Sequence, residues 1–208
     1  MSRPWPGGRI EPAEERRRLL VAFVELVAEG GIDAADRGSV CARAGLGRRA
    51  FERHFVDRPA CFDAAWDWLK LEYLGRLEAA LAPHEGWRQR LRAGAEETLR
   101  LVGEHPQQAR FLAVESLALE AGRSRQRALG DRVAQLLDGF RAELVDPSGP
   151  PAATSSWVVG LFFDRIYRCL SAGEEQALPA QLPQLLFLAV SAYSGTEAGL
   201  EELRAPPP

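Results

Sequence analysis

Asparagine is absent from this 208-residue chain and Lys70 is its single lysine, so the positive charge is almost all arginine, a bias of composition rather than of mechanism. Cysteine is scarce as well. Cys41, Cys61 and Cys169 lie far apart with no C-x-x-C pair, which argues against a disulfide framework and suits a reducing compartment. Buried structural thiols and oxidant sensors are the two readings of them. His54, His84 and His105 are not spaced as a metal set, so no metal is expected. No apolar run approaches the ~20 residues of a membrane-spanning helix, and the first eighteen residues lack the apolar core of a signal peptide. The expectation is a soluble, cytoplasmic protein with no membrane partner. A phosphate-cradling G-x-x-x-x-G-K, a G-x-S-x-G elbow and an H-E-x-x-H are all missing, so neither an enzyme nor a cofactor is expected.

What is present is helical pattern and a local concentration of charge. The chain carries a net charge of −3, yet residues 1–60 hold eleven arginines against nine acids, and residues 37–58 hold six against two. A polyanion would meet the N-terminal part. Leu19, Leu20, Phe23, Val24 and Val27 recur at helical spacing from Pro12 to Glu29, with Glu14 and Glu15 at the positive end of the dipole and Gly30-Gly31 as the stop. Asp36 is placed to cap a short second helix ending at Gly45, and a third begins after Gly47. A long amphipathic helix follows to near Pro83. Further helices are expected at roughly 85–103, 107–121, 124–145, 157–171 and 180–194, with a loop at 146–156 and a frayed tail. The pattern predicts an all-α chain of about nine helices. It divides into an N-terminal three-helix domain (1–60) and a C-terminal helical domain (61–208).

The stretch from Ala35 to Phe55, "ADRGSVCARAGLGRRAFERHF", has the parts of a helix-turn-helix. Gly45 permits the positive φ of a sharp corner. Val40, Leu46, Phe51 and Phe55 supply the apolar contacts, and Arg48 and Arg49 fall in the first turn of the second helix, where groove-reading side chains belong.

About 45 residues around this corner resemble the tetracycline-repressor (TetR) family of dimeric regulators. Val40, Ala44, Gly45, Leu46, Phe51, His54, Phe55 and Arg58 match its pattern in register. The resemblance implies that Arg48 and Arg49 read bases, with Arg53 beside them, and that Arg37, His54 and Arg58 hold phosphates of a palindromic double-stranded operator. Two departures weaken phosphate contact. Gly47 stands where the family has a capping Ser or Thr, and Glu52 replaces a Tyr. Glu52 has three readings: a pair with Arg48 or Arg49, selection of cytosine through its amino group, or a mark of weakened DNA affinity.

The C-terminal helices are apolar on nearly every side in "WVVGLFFDRIYRCLS" and "LLFLAV", and a helix of that kind must be covered all round. The resemblance implies a homodimer through the last two helices, with Trp157, Leu161, Phe162, Leu185, Leu188 and Tyr193 at the interface. It also implies a cavity for a largely apolar small-molecule effector, for which Trp66, Trp87, Phe111, Glu115, Phe140 and Tyr167 are the candidates. Plain core is the other reading of these aromatics, and Arg110 or Arg132 is a possible partner for Glu115. The function expected is a ligand-responsive regulator, most simply a repressor. The alternative is a dimeric small-molecule-binding protein of the same fold with weakened or lost DNA binding.

Overall fold

The computed structural model describes residues 11–141 and 153–204, apart from the side chains of residues 140 and 141. Among the described residues there is no strand, and ten α-helices follow one another. The chain divides into two compact units, Met1–Trp68 and Leu69–Pro208, with the division inside the fourth helix.

In the first unit α1 (Pro12–Gly30) opens on Pro12, carries Glu14 and Glu15 in its first turn, and stops where Gly31 takes a φ of 75°. A 3₁₀ turn, Ile32–Ala34, leads to α2 (Arg37–Ala44) and α3 (Arg48–His54). The Asp36 carboxylate accepts from the backbone N–H groups of Gly38 and Ser39 at 2.7 and 3.1 Å, the N-cap that its position predicts. Gly45 sits in the left-handed region at φ 67°. Its N–H donates to Ala42 O, and that of Leu46 to Cys41 O at 2.9 Å, the paired bonds of a Schellman ending. The apolar faces of α1, α2, α3 and the start of α4 (Arg58–Leu81) bury Phe23, Val27, Val40, Phe51, Phe62 and Trp66. That interior fixes the outward face of α3.

The second unit contains α5 (Trp87–Glu104), α6 (Pro106–Ala113), α7 (Glu120–Arg141), α8 (Thr154–Ala172), α9 (Leu182–Ser194) and α10 (Thr196–Arg204). Its core joins Leu91 and Leu99 of α5, Ile166 and Leu170 of α8, and Leu186 and Val190 of α9. Two features differ from the sequence reading. The helix expected over 107–121 ends at Ala113. A 3₁₀ turn, Glu115–Ala118, intervenes, and Gly122 of α7 lies so close to it that a Cβ there would collide with the Ser116 carbonyl oxygen. The helix expected over 124–145 accordingly begins earlier, at Glu120, and residues 142–145 lie outside the described part.

The second difference is α10, over residues to which the sequence reading assigned no helix. Gly195, at φ 85°, turns the chain back, and Gly199 lets α10 lie against the Phe187 carbonyl of α9. Glu202 is then buried, held by Arg88 Nη2 at 2.8 Å and by Arg92. Arg88 also bonds Glu201 at 2.8 Å and the Ala198 carbonyl at 3.1 Å. A buried carboxylate without such partners would be costly. The α5 arginines therefore hold the end of the described chain in place.

Candidate nucleic-acid interface and interior cavity

With Ala50 and Phe51 turned inward, α3 presents Arg48, Arg49, Glu52 and Arg53 to solvent, the spacing of one helix face. Arg48 and Arg49 take no hydrogen bond or ion pair among the described residues, though the charge of Arg48 helps hold Asp36 below the usual carboxylate range, behind the larger effect of the bonds from Ser39 and Gly38. Gly47 caps α3 without a side-chain bond, and no acid stands in the first turn. The two guanidinium groups are thus available to an outside acceptor.

The other four basic residues are engaged within the chain. Arg37 Nη1 donates to Glu52 Oε1 at 2.8 Å, and its guanidinium lies over the Phe51 ring at 5.6 Å. Glu52 therefore pairs with Arg37, not with Arg48 or Arg49: its side chain reaches the start of α2. Arg53 Nη2 bonds both oxygens of Glu15 on α1 at 2.8 and 2.9 Å, and His54 Nε2 meets the same carboxylate at 3.2 Å. Those bonds, Arg53's first, hold the Glu15 pKa below its ordinary value. Arg58 reaches the Ile32 carbonyl at 3.4 Å and Asp33 at 3.3 Å. Exposed pairs of this kind are individually weak, ~0–1 kcal/mol, so phosphate could compete for the cations. They do set the resting state. Sequence reading did not find these acids as partners, because Glu15 lies 38 positions before Arg53 and Glu52 15 after Arg37.

The thiols are sealed. Cys41, Cys61 and Cys169 are all buried, burial pushes the Cys61 pKa up to about 12, and it also raises that of Cys41. A protonated thiol is a poor nucleophile.

The second unit has a half-open apolar cavity of about 60 Å³ among α4, α5, α7 and α8. Leu77, Leu91, Leu137, Val158, Phe162 and Phe163 are among its walls, with the Tyr73 hydroxyl 3.2 Å from Thr98 Oγ1 as a polar spot and Arg90 as its one cation. Drug-sized ligands occupy ~300–1,000 Å³. A ligand would have to push the walls apart.

The six residues suggested for ligand contact do not converge here. Trp66 is in the core of the first unit. Trp87 packs on Tyr193 with ring centres 5.6 Å apart, and Phe111 is fully buried core. Glu115 bonds Arg110 at 3.0 Å, while Arg132 reaches Glu78 at 3.4 Å. Tyr167 faces an open groove between α7 and α8. The Phe140 side chain lies outside the described residues. What the sequence reading missed as a lining set, Tyr73, Thr98 and Phe163, carried only the signal of helix faces shared with the ordinary core.

Of the residues suggested for dimer contact, Trp157 is 66 % exposed and Leu188 46 %. Leu161 is half-buried, and Phe162 lines the cavity. Leu185 and Tyr193 are buried within their own unit, where the Tyr193 hydroxyl lies 2.7 Å from Ser155 Oγ. An interior position removes these two from any outer contact: α9 turns that side toward α5 and α8.

No family model matches the sequence, nor does any curated protein. Solved structures do match. One is FadR from Bacillus subtilis in complex with stearoyl-CoA, at 14 % identity and TM-score 0.74, covering 86 % of this chain and 98 % of that one. A TetR-like transcriptional regulator from Rhodococcus sp. RHA1 aligns at 20 % identity and TM-score 0.71, over 85 % and 96 % of the two chains. SmeT, the repressor of the Stenotrophomonas maltophilia multidrug efflux pump SmeDEF, aligns at 18 % identity and TM-score 0.70, over 86 % and 89 %. At these identities the likeness speaks for the fold, which is that of TetR-like transcriptional regulators.

Proposed function

We propose that this protein is a dimeric DNA-binding transcriptional regulator that responds to a small-molecule effector, acting as a repressor on a palindromic operator. The observation that carries the reading is the pair Arg48 and Arg49, exposed on the helix after the Gly45 corner and without an acceptor among the described residues. Arginine forks match the O6 and N7 acceptors of guanine in the major groove, each good pair worth ~1–3 kcal/mol of discrimination. Phosphate contacts add affinity that weakens with salt and carries no sequence information.

Dimerisation is supported by Trp157 on α8 and Leu188 on α9, large apolar side chains left open to solvent. Two reading heads must meet half-sites about 34–36 Å apart on one face of B-DNA. The cavity in the second unit supports a largely apolar effector. Its binding would favour the conformers in which the cavity is open, and DNA is released to the extent that those conformers space the heads wrongly. Among the described residues no helix is long and apolar enough to cross a membrane, in keeping with a cytoplasmic protein.

A second reading, a small-molecule-binding protein of this fold with weakened DNA binding, is favoured by one observation. Arg37, Arg53, His54 and Arg58 are all engaged by acceptors of their own chain. A salt-titrated binding assay on the DNA upstream of the protein's own gene, with sedimentation to count protomers, separates the two. Tight salt-sensitive binding by a dimer supports the regulator. Effector binding without affinity for that DNA or for random duplex DNA supports the alternative.

A further inference from the structure

The exposed face of α3 carries one acid among its arginines, and the structure holds that acid still. Glu52 lies one helical turn beyond Arg48, half-exposed, with Oε1 accepting from Arg37 Nη1 at 2.8 Å; no described residue bonds its other oxygen, Oε2. The Arg37 guanidinium is itself fixed, resting on the ring of buried Phe51 at 5.6 Å. A half-exposed pair adds little to stability. Its consequence is orientation and charge: the carboxylate is aimed, and its repulsion from phosphate is cancelled by its partner.

A carboxylate oxygen can only accept, so in the major groove it can meet only an amino group, cytosine N4 or adenine N6. The adenine amino group adjoins N7, whose lone pair repels a carboxylate. The cytosine amino group adjoins a C–H. We infer that Glu52 is a base-reading residue that selects cytosine in each half-site, with Arg37 as its positioning residue. The inference rests on the regulator reading and names what the site recognises: a G·C pair read from the cytosine side, next to the guanines open to Arg48 and Arg49.

Selection of the full-length protein against a random duplex library tests this, run in parallel for the wild type and for Glu52→Ala, Arg37→Ala and Arg37→Lys. The wild type should enrich one invariant cytosine per half-site. Glu52→Ala should lose that preference by about 5-fold or more while keeping the guanine positions, and should bind non-specific DNA more tightly with a steeper salt dependence, since Arg37 is released to phosphate. Arg37→Ala should blur the same single position, and Arg37→Lys should restore it, a pattern that a loss of folding would not produce. A preference that stays unchanged at every G·C position in Glu52→Ala, or a wild-type site whose G·C positions are all lost in Arg48→Ala with Arg49→Ala, overturns the assignment. If the wild type enriches no sequence at all, the regulator reading fails and this inference with it.

Discussion

Replacing Arg48 and Arg49 together by alanine removes two cations per protomer, four from a dimer, without touching a bond among the described residues. The fold should be indifferent, because exposed substitutions of this kind usually shift stability by no more than ~0.5 kcal/mol. DNA binding should not be. If each arginine reads a base, the low end of ~1 kcal/mol per contact amounts to ~4 kcal/mol over the dimer, roughly a thousandfold in affinity. If instead the four rest on phosphates, the slope of log affinity against log salt should become shallower by about 3.6, at ~0.9 per phosphate. Fluorescence anisotropy with a labelled duplex selected by the wild type, between about 50 and 200 mM salt, measures both quantities. Circular dichroism on the same samples checks the helices. A loss under about tenfold at every salt concentration, with the slope unchanged, would refute recognition by α3.

Other outcomes follow from the same geometry. Glu15→Gln should loosen Arg53 and His54 from α1 and strengthen non-specific DNA binding, with the salt slope steeper by about 0.9 per protomer as Arg53 is released; an unchanged slope in the same assay would show that Arg53 does not face DNA. Gly45→Ala should cost ~1–2 kcal/mol in denaturant unfolding, because an L-residue is strained at φ 67°. An added Cβ there meets nothing within 4 Å, so the loss is backbone strain without a clash. Acid should destabilise the protein through Glu14, whose pKa is lowered to about 2 by Arg17 and then Arg18, and through Glu15, Glu29 and Asp36, lowered by their own partners. Their contribution is complete above the ordinary carboxylate range and is lost as pH falls from about 4 through the depressed values. Denaturation midpoints that stay flat from pH 6 to about pH 3 would contradict this.

The Arg37–Glu52 contact ties one departure from the expected pattern to one of the expected phosphate contacts. Glu52 looks unfavourable for DNA when read alone, and Arg37 looks like a phosphate contact. Side by side they pair as opposite charges, and no described residue bonds Glu52 Oε2. The same logic covers Glu15. A carboxylate on α1 that shares Arg53 and His54 lowers the charge that the head presents at rest. On the proposed reading, DNA affinity depends on whether phosphates outcompete weak internal pairs, which makes the salt dependence more informative than a single dissociation constant.

Local chemistry wrote much of the first unit into the sequence. Pro12, Glu14 and Gly31 bound α1, Asp36 caps α2, and Gly45 turns the corner, because each acts within a few residues of itself. Helical period was enough to turn Phe51 inward and leave Arg48 and Arg49 outside. Tertiary structure alone decided the rest. The last helix, α10, is held by Arg88 meeting Glu202 across 114 positions. The cavity walls are side chains from four helices that no single period marks out. Which acid holds which arginine depends on the docking of separate helices, and an ion pair's energy depends on distances in space that spacing along the chain does not contain.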